Sequence, residues 1–219
     1  MILNIYKPSK ISSFNFIYRL KRILGVKKIS HAGTLDPLAE GVMIVLTDKD
    51  CKIQDTLTKL DKEYEADILL GASSESYDLE KPLIFDNNSP FITKEALEGV
   101  LNSLKGEISL PVPMFSAKIV SGKRLYKMAR KGQVLEDIPH MKSTIYEISL
   151  LEVNTYDYFG KNYPLVKIKI FCSSGTYIRT LANEIGKRLN TSGVLFFLKR
   201  TRVGEFSVTD SKTENSLLL

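Results

Sequence analysis

The chain has 219 residues, 43% of them hydrophobic, which is enough apolar surface for a substantial core. Its 31 Lys and Arg exceed its 25 Asp and Glu, and the formal net charge of +6 favours polyanionic partners. Two cysteines and two histidines exclude a disulfide framework and show no metal-ligand spacing. A soluble chain in a reducing cytoplasm is expected, since there is no signal peptide and no apolar run of the roughly 20 residues that cross a bilayer.

The first part of the chain predicts two helices around a buried strand. Apolar residues recur at helical spacing between Ser12, which can cap a helix together with Ser13, and Gly25, which can end it. The continuous apolar run 42–46 predicts a buried strand, and the spacing over 48–60 predicts a second helix.

The remaining elements are interspersed strands and helices. Alternation from Glu63 to Leu70 predicts a strand with one wet face, and Thr93 can cap a helix that ends near Gly106. Residues 145–153 and 165–172 predict two further strands, and a last helix follows from Ile178 to Leu189. Because strict alternation is lacking, the expected class is α+β, with a mixed, mostly antiparallel sheet and flanking helices.

Basic residues gather in two places. The chain has no acidic residue before Asp36, although Lys7, Lys10, Arg19, Lys21, Arg22, Lys27 and Lys28 precede it. Residues 116–144, here called the basic arm, read as an insertion that is acid-free until Glu136. A solvated basic helix is the plain interpretation of such a run. The interleaved apolar residues favour an RNA-gripping element instead. Its candidate RNA-binding residues are Lys123, Arg124, Lys127, Arg130 and Lys131.

The segment 31–41 is the strongest candidate for chemistry. It holds two glycines and places Asp36 directly before Pro37, which disfavours helical backbone at the aspartate and presents its side chain from a turn or extended segment. An Asp-Pro pair alone is more simply a turn former. The longer string, His, any residue, Gly, any residue, Leu-Asp-Pro, resembles the catalytic loop of the TruB family of tRNA pseudouridine synthases.

Other motifs of that family have counterparts here in the same order, over nearly the whole chain, which is hard to obtain by accident. The matching segments are Lys7-Pro8 with Ser12-Ser13, Lys62-Glu63-Tyr64, residues 113–118 with Gly122-Lys123, Tyr126 and Ala129-Arg130, residues 172–180, and residues 198–202.

The resemblance implies the pseudouridine synthase fold and isomerisation of the T-loop uridine of tRNA, at position 55, without a cofactor or metal. It implies that Asp36 is the nucleophile, that Arg179 orients its carboxylate, and that Tyr64 packs on the uracil. Asp36 could add to the pyrimidine ring or assist cleavage at the sugar, and the sequence leaves both routes open. The implied substrate-binding residues are His31, Tyr177, Leu198 and Lys7.

Two departures qualify the resemblance. Lys10 stands where the family usually has Gly, and the chain ends soon after Arg202, so the family's carboxy-terminal PUA domain is expected to be absent. The expectation is a single catalytic domain over 1–219, a bacterial-type monomer that binds the T arm of tRNA without an obligate protein partner or a membrane. A non-catalytic RNA-binding or tRNA-folding module and a small-molecule hydrolase using Asp36 remain as alternatives.

Overall fold

The computed structural model describes residues 1–116, 118–120, 122–133 and 137–217. Within these ranges the helices are α1 (Ser13–Leu24), α2 (Gln54–Thr58), α3 (Lys94–Ser103), α4 (Leu125–Ala129) and α5 (Ile178–Arg188). The strands are β1 (Ile2–Lys7), β2 (Ile29–Ala32), β3 (Glu40–Thr47), β4 (Lys62–Leu70), β5 (Ala72–Ser73), β6 (Ile84–Phe85), β7 (Gly106–Pro111), β8 (Ile119–Val120), β9 (Lys123–Arg124), β10 (His140–Tyr158), β11 (Lys161–Cys172), β12 (Gly193–Val203) and β13 (Phe206–Ser207). No helix in these ranges is long and apolar enough to cross a bilayer.

The main sheet has the strand order β1-β3-β12-β4-β11-β10-β7, while β2 pairs with β3 and β13 with β12. β1 and β2 both pair antiparallel with β3. β12 pairs parallel with β3, so that Arg200 lies opposite Gly41. The fold class, a mixed and mostly antiparallel sheet with flanking helices, is confirmed.

Two compact units divide the described residues. The first comprises Met1–Glu65, Ile170–Ser174 and Phe197–Leu219, and the second comprises Ala66–Lys169 and Gly175–Phe196. The first has a core cluster of Ala32, Val42, Ile44, Leu46 and Val203. The second has a cluster of Leu69, Ala72, Tyr163 and Val194. The single catalytic domain expected over 1–219 stays a prediction.

Local signals set the ends of α1 and α3. The Ser12 hydroxyl accepts from the backbone N–H of Asn15 at 3.2 Å, and Gly25 ends α1 in the left-handed conformation with φ of 63°. The Thr93 hydroxyl accepts from the N–H of Ala96 at 3.2 Å and begins α3. Both helix starts predicted from the sequence are confirmed.

Two elements predicted from the sequence differ from the structure in their bounds or in the type of helix. The helix expected over 48–60 is a 3₁₀ helix, Asp48–Ile53, followed by the short α2, because its apolar residues are only partly buried and support no longer helix. The strand expected over 145–153 is longer, since β10 runs from His140 to Tyr158 and so begins inside the range assigned to the basic arm.

Candidate active site

Asp36 lies on the loop between β2 and β3, in the first unit, with its side chain half-buried. Its carbonyl oxygen accepts from the N–H of Ala39 at 3.1 Å and closes a turn that has Pro37 in its second position. The Ser13 hydroxyl accepts from the N–H of Leu35 at 2.9 Å and donates to its carbonyl at 2.7 Å. Leu35, the residue before Asp36, is thus held by hydrogen bonds at both its N–H and its carbonyl.

Lys7 holds the other side of the same loop. Its fully buried ammonium donates to the carbonyls of Ala39 at 2.6 Å, Pro8 at 2.9 Å and Pro37 at 3.4 Å. Burial lowers the pKa of Lys7 to about 8, while the negative charge of Asp36 opposes that shift. The hydrogen bonds of Lys7 thus connect β1 to the loop, and its contact with the substrate stays a prediction.

Arg200 of β12 completes the support of the loop. Its buried guanidinium donates through Nε to Val42 O at 2.8 Å, through Nη2 to Gly33 O at 3.0 Å and through Nη1 to Thr34 O at 3.5 Å. Gly41 allows the backbones of β3 and β12 to lie close together at Arg200. It has φ of 107°, and a Cβ there would lie 2.2 Å from the carbonyl oxygen of Arg200.

Tyr64 lies on β4 in the same unit and is buried. Burial raises the pKa of Tyr64 to about 12, and the charge of Asp36 adds to the rise, while the Arg200 cation and its hydrogen bond with Tyr64 oppose it. The phenol is therefore neutral at physiological pH. The structure thus places Tyr64 within electrostatic reach of both Asp36 and Arg200.

His31 and Leu198 also belong to this unit. His31 ends up half-buried on β2, and its Nδ1 has no hydrogen-bond partner within the described residues. Burial and the nearby Arg200 cation lower the pKa of His31, so the imidazole is neutral. Leu198 is buried on β12, two residues before Arg200.

Arg179 and Tyr177 belong to the second unit. Arg179 is in the first turn of α5, 3% exposed, and donates to the carbonyls of Ser76 at 3.1 Å and Phe115 at 3.0 Å. Its Nε lies 3.7 Å from the Asp78 carboxylate, which also accepts from the Ser76 hydroxyl at 2.6 Å. Tyr177 is the residue before α5. The pairing of Arg179 with Asp36 stays a prediction.

The described part of the basic arm is a small hairpin, β8 and β9, leading into α4, with Leu125 fully buried. Residues 117, 121 and 134–136 lie outside the described residues. Arg130 packs over the ring of Tyr126 at 5.5 Å and lies 3.8 Å from Glu80. A cavity of about 880 Å³ is lined by Ile119, Gly122, Lys123, Arg124, Tyr126, Lys127, Met128, Arg130, Lys131 and Gln133. All five predicted RNA-binding residues face this cavity.

Comparison with known proteins settles the family. The family described as "TruB family pseudouridylate synthase (N terminal domain)" matches residues 21–178. A protein of Clostridium tetani named tRNA pseudouridine synthase B is 39% identical over 96% of this chain and 70% of its own length. A protein of the same name from Parabacteroides distasonis is 44% identical over 94% of this chain and 87% of its own. The chain belongs to the TruB family of pseudouridylate synthases.

Solved structures agree with the TruB family fold. A chain in the crystal structure of a Cbf5-Nop10-Gar1 complex superposes with a TM-score of 0.75 at 24% identity. A chain in an H/ACA RNP bound to a substrate RNA containing 2'-deoxyuridine superposes with a TM-score of 0.72 at 23% identity. This chain spans about half the length of each, 53% and 52%. At such identity the likeness concerns the fold.

Two buried charged residues, one in each unit, were not predicted from the sequence. Arg200 lies in a polar run, Lys199 to Arg202, whose composition is typical of an exposed segment, yet it is 1% exposed. Asp78 lies in a loop with no distinctive spacing, yet it is buried beside Arg179. A glycine at position 41 is compatible with a close backbone approach, but no signal in the sequence indicated that the Arg200 side chain is buried.

Proposed function

We propose that this chain is a tRNA pseudouridine synthase that isomerises the T-loop uridine at position 55 with Asp36 as nucleophile. One observation carries the proposal: the half-buried Asp36 sits on a turn that Ser13, Lys7 and Arg200 fix from three sides. Two of these groups are cations, and attack requires the ionised carboxylate, which positive neighbours favour. The names of the relatives support the same activity.

The reaction needs only positioning and charge. The N1–C1′ bond of the nucleotide breaks, the base turns, C5 bonds to C1′ and then loses its proton, and N1 takes up a proton. Substrate and product are isomers, so no electron or energy input is needed. Asp36 either adds to the ring or assists bond cleavage at the sugar, and both routes use the same carboxylate.

The target base has to leave its stack before Asp36 can reach it. We assign Tyr64 as the surface that takes over the stacking of the everted uracil. Its neutral phenol suits this role because an uncharged ring avoids the cost of burying charge beside the base. His31, Tyr177 and Leu198 are assigned to the nucleotide pocket, and Arg179 to orientation of the Asp36 carboxylate.

The cavity of the basic arm supports its assignment to the RNA backbone. Lys123, Arg124, Lys127 and Lys131 line it together with Arg130, and no acidic residue does in the part of the arm that the structure describes. Such a lining attracts phosphates. We propose that the arm grips the T arm of tRNA and that the enzyme acts as a monomer in the cytoplasm, without an obligate protein partner.

Unmodified tRNA transcript with site-resolved pseudouridine detection tests the proposal. The parent protein should convert position 55, and Asp36→Asn should form no product while it still binds the transcript. Asp210→Asn, a change of the same kind at an exposed position of the same unit, should react like the parent. Pseudouridine formed by Asp36→Asn, or conversion only at another position by the parent, would overturn the proposal.

A further inference from the structure

The solvent face of α1 carries two large aromatic rings that the core does not use. Phe14 is 70% exposed and Tyr18 is 59% exposed, one turn apart on the helix. Their ring centroids lie 6.3 Å apart and their planes differ by only 18°, so the two rings face the same way. The core contacts of α1 come from its other face, through Phe16, Ile17 and Leu20.

Basic residues predominate around these rings. α1 contains no acidic residue, and Arg22 continues the Phe14–Tyr18 stripe one turn further on. Lys10, Arg22, Lys27 and Lys28 are exposed. Arg19 is exposed too, but it forms a salt bridge with Glu214 at 2.7 Å. Exposed aromatic rings flanked by unneutralised cations are the features of a surface that binds single-stranded nucleic acid.

The two rings are close in sequence to Ser13, which contacts the loop that carries Asp36. Ser13, which fixes Leu35 by two hydrogen bonds, directly precedes Phe14, and Leu35 directly precedes Asp36. The first turn of α1 is therefore in contact with the loop that carries Asp36, and Phe14 belongs to that turn.

We propose that the exposed face of α1, formed by Phe14, Tyr18 and Arg22, binds the RNA substrate by stacking unpaired bases next to the target nucleotide. Phe14 and Tyr18 supply the stacking surfaces, and Arg22 neutralises a phosphate of the same strand. The inference rests on the proposed function, since it takes the same RNA as substrate. It assigns to α1 a role that differs from that of the basic arm.

Affinity measurements on the full chain with unmodified tRNA transcript test this surface. The double variant Phe14→Ala/Tyr18→Ala should weaken binding about 10-fold or more, with an unchanged salt dependence, because it loses stacking and no phosphate contact. Arg22→Gln should instead lower the slope of log affinity against log salt by about 0.9. Phe14→Tyr and Tyr18→Phe, which keep both rings, should bind like the parent.

Phe91→Ala is the matched control, since Phe91 is 92% exposed in the second unit. It should bind RNA like the parent. The surface proposal is overturned if the double variant binds as tightly as this control. It is also overturned if the rings hold two copies of the chain together, seen in sedimentation as a parent dimer that the double variant loses while RNA affinity stays unchanged.

A tryptophan introduced on this surface reports base stacking directly, because the parent chain has no tryptophan. Tyr18→Trp places a single indole on the surface, and RNA binding should quench its emission and shift it by base stacking. Phe91→Trp should respond little. No change in Tyr18→Trp emission at saturating RNA would count against stacking.

Failure of this inference and failure of the proposed function give different results. In single-turnover reactions, the double variant should need about 10-fold more enzyme than the parent to reach its half-maximal rate, because its affinity for the transcript is lower. Product formed by Asp36→Asn would reject the proposed function whatever α1 does. Normal RNA affinity of the double variant beside an inactive Asp36→Asn would reject only the surface on α1.

Discussion

The hydroxyl of Ser13 bonds both backbone polar groups of Leu35, accepting from its N–H at 2.9 Å and donating to its carbonyl at 2.7 Å. Both residues are buried. One side chain of α1 therefore substitutes for the backbone partners that Leu35 would have in a strand. The residue that follows Leu35 is Asp36, so the direction of the carboxylate depends on this pair.

Ser13→Ala should destabilise the fold and slow the reaction. Two buried backbone groups of Leu35 lose their partner, which costs about 1–3 kcal/mol of the free energy of unfolding. Urea denaturation measures that loss, and single-turnover pseudouridine formation measures the effect on rate. Ser216→Ala is the control, because its hydroxyl is exposed and makes only a local bond. Equal stability of the two variants would contradict the role given to Ser13.

Arg200→Met should cost on the order of 3 kcal/mol of unfolding free energy, since three loop and strand carbonyls lose a buried charged donor. Arg200→Lys keeps the charge but not the planar fork, so it should recover part of the stability and little of the activity. Arg202→Met removes a partly exposed cation paired with Glu63 and should cost less than about 1 kcal/mol. Similar losses in Arg200→Met and Arg202→Met would show that the fork does not hold the loop.

Stability should rise with pH between about 8 and 10. Burial lowers the pKa of Lys7 and that of Lys62 to about 8, well below the ordinary lysine value of 10.5. Between these values the unfolded chain binds more protons than the folded one, so the free energy of unfolding increases with pH across this window and levels off below about 8. Urea denaturation at pH values of about 7.5, 8.5 and 9.5 measures the slope of the free energy of unfolding against pH.

Lys62→Met should flatten that slope, because it removes one of the two buried ammonium groups. Lys62 donates to the carbonyls of Thr58 and Leu60, and it is 5% exposed. Lys59→Met, an exposed change three residues earlier, should leave the slope as it is in the parent. An unchanged slope in Lys62→Met would mean that Lys62 does not titrate in this window.

Tyr64→Phe should bind tRNA like the parent, since it keeps the ring, whereas Tyr64→Leu should weaken binding. Because burial raises the pKa of Tyr64 to about 12, its phenol does not ionise between pH 6 and 9. The profiles of kcat/KM against pH should therefore have the same shape in the parent and in Tyr64→Phe. A basic limb in the parent profile that Tyr64→Phe lacks would contradict the neutral phenol.

RNA affinity should fall steeply with salt, and the basic arm should carry part of that dependence. Lys123→Gln/Arg124→Gln removes two exposed cations from the cavity lining and should lower the slope of log affinity against log salt by about 2. Lys49→Gln/Lys52→Gln, two exposed lysines on the 3₁₀ helix of the first unit, is the control. Equal slopes in both double variants would remove the arm from the binding surface.

The sequence predicted those elements whose causes are local. Ser12, Gly25 and Thr93 act within one turn of their own helices, and β4 shows its alternation in a single stretch of chain. The family and the fold class were also predictable, because the motifs around Asp36 resemble the family to which the chain belongs. The roles of the site residues stay predictions.

β12 could not be predicted, because tertiary contacts override its pattern. The strand changes from an apolar run, Val194 to Leu198, to a charged one, and period-2 alternation is absent. Arg200 is buried there only because the carbonyls of Gly33, Thr34 and Val42 converge on it, more than 150 positions earlier in the chain. Hydrogen bonds between residues so far apart in sequence give no local pattern from which the burial of Arg200 could be predicted.

The separation between Arg200 and its partners along the chain means that these residues are synthesised at different times. Thr34 and Arg200 are 166 residues apart, and Gly33 and Arg200 are 167 apart. A nascent polypeptide that has emerged only as far as β11 already carries the aspartate, but it lacks the guanidinium that secures the surrounding turn. The loop that carries Asp36 therefore gains its full support only after β12 has been synthesised and has paired with β3.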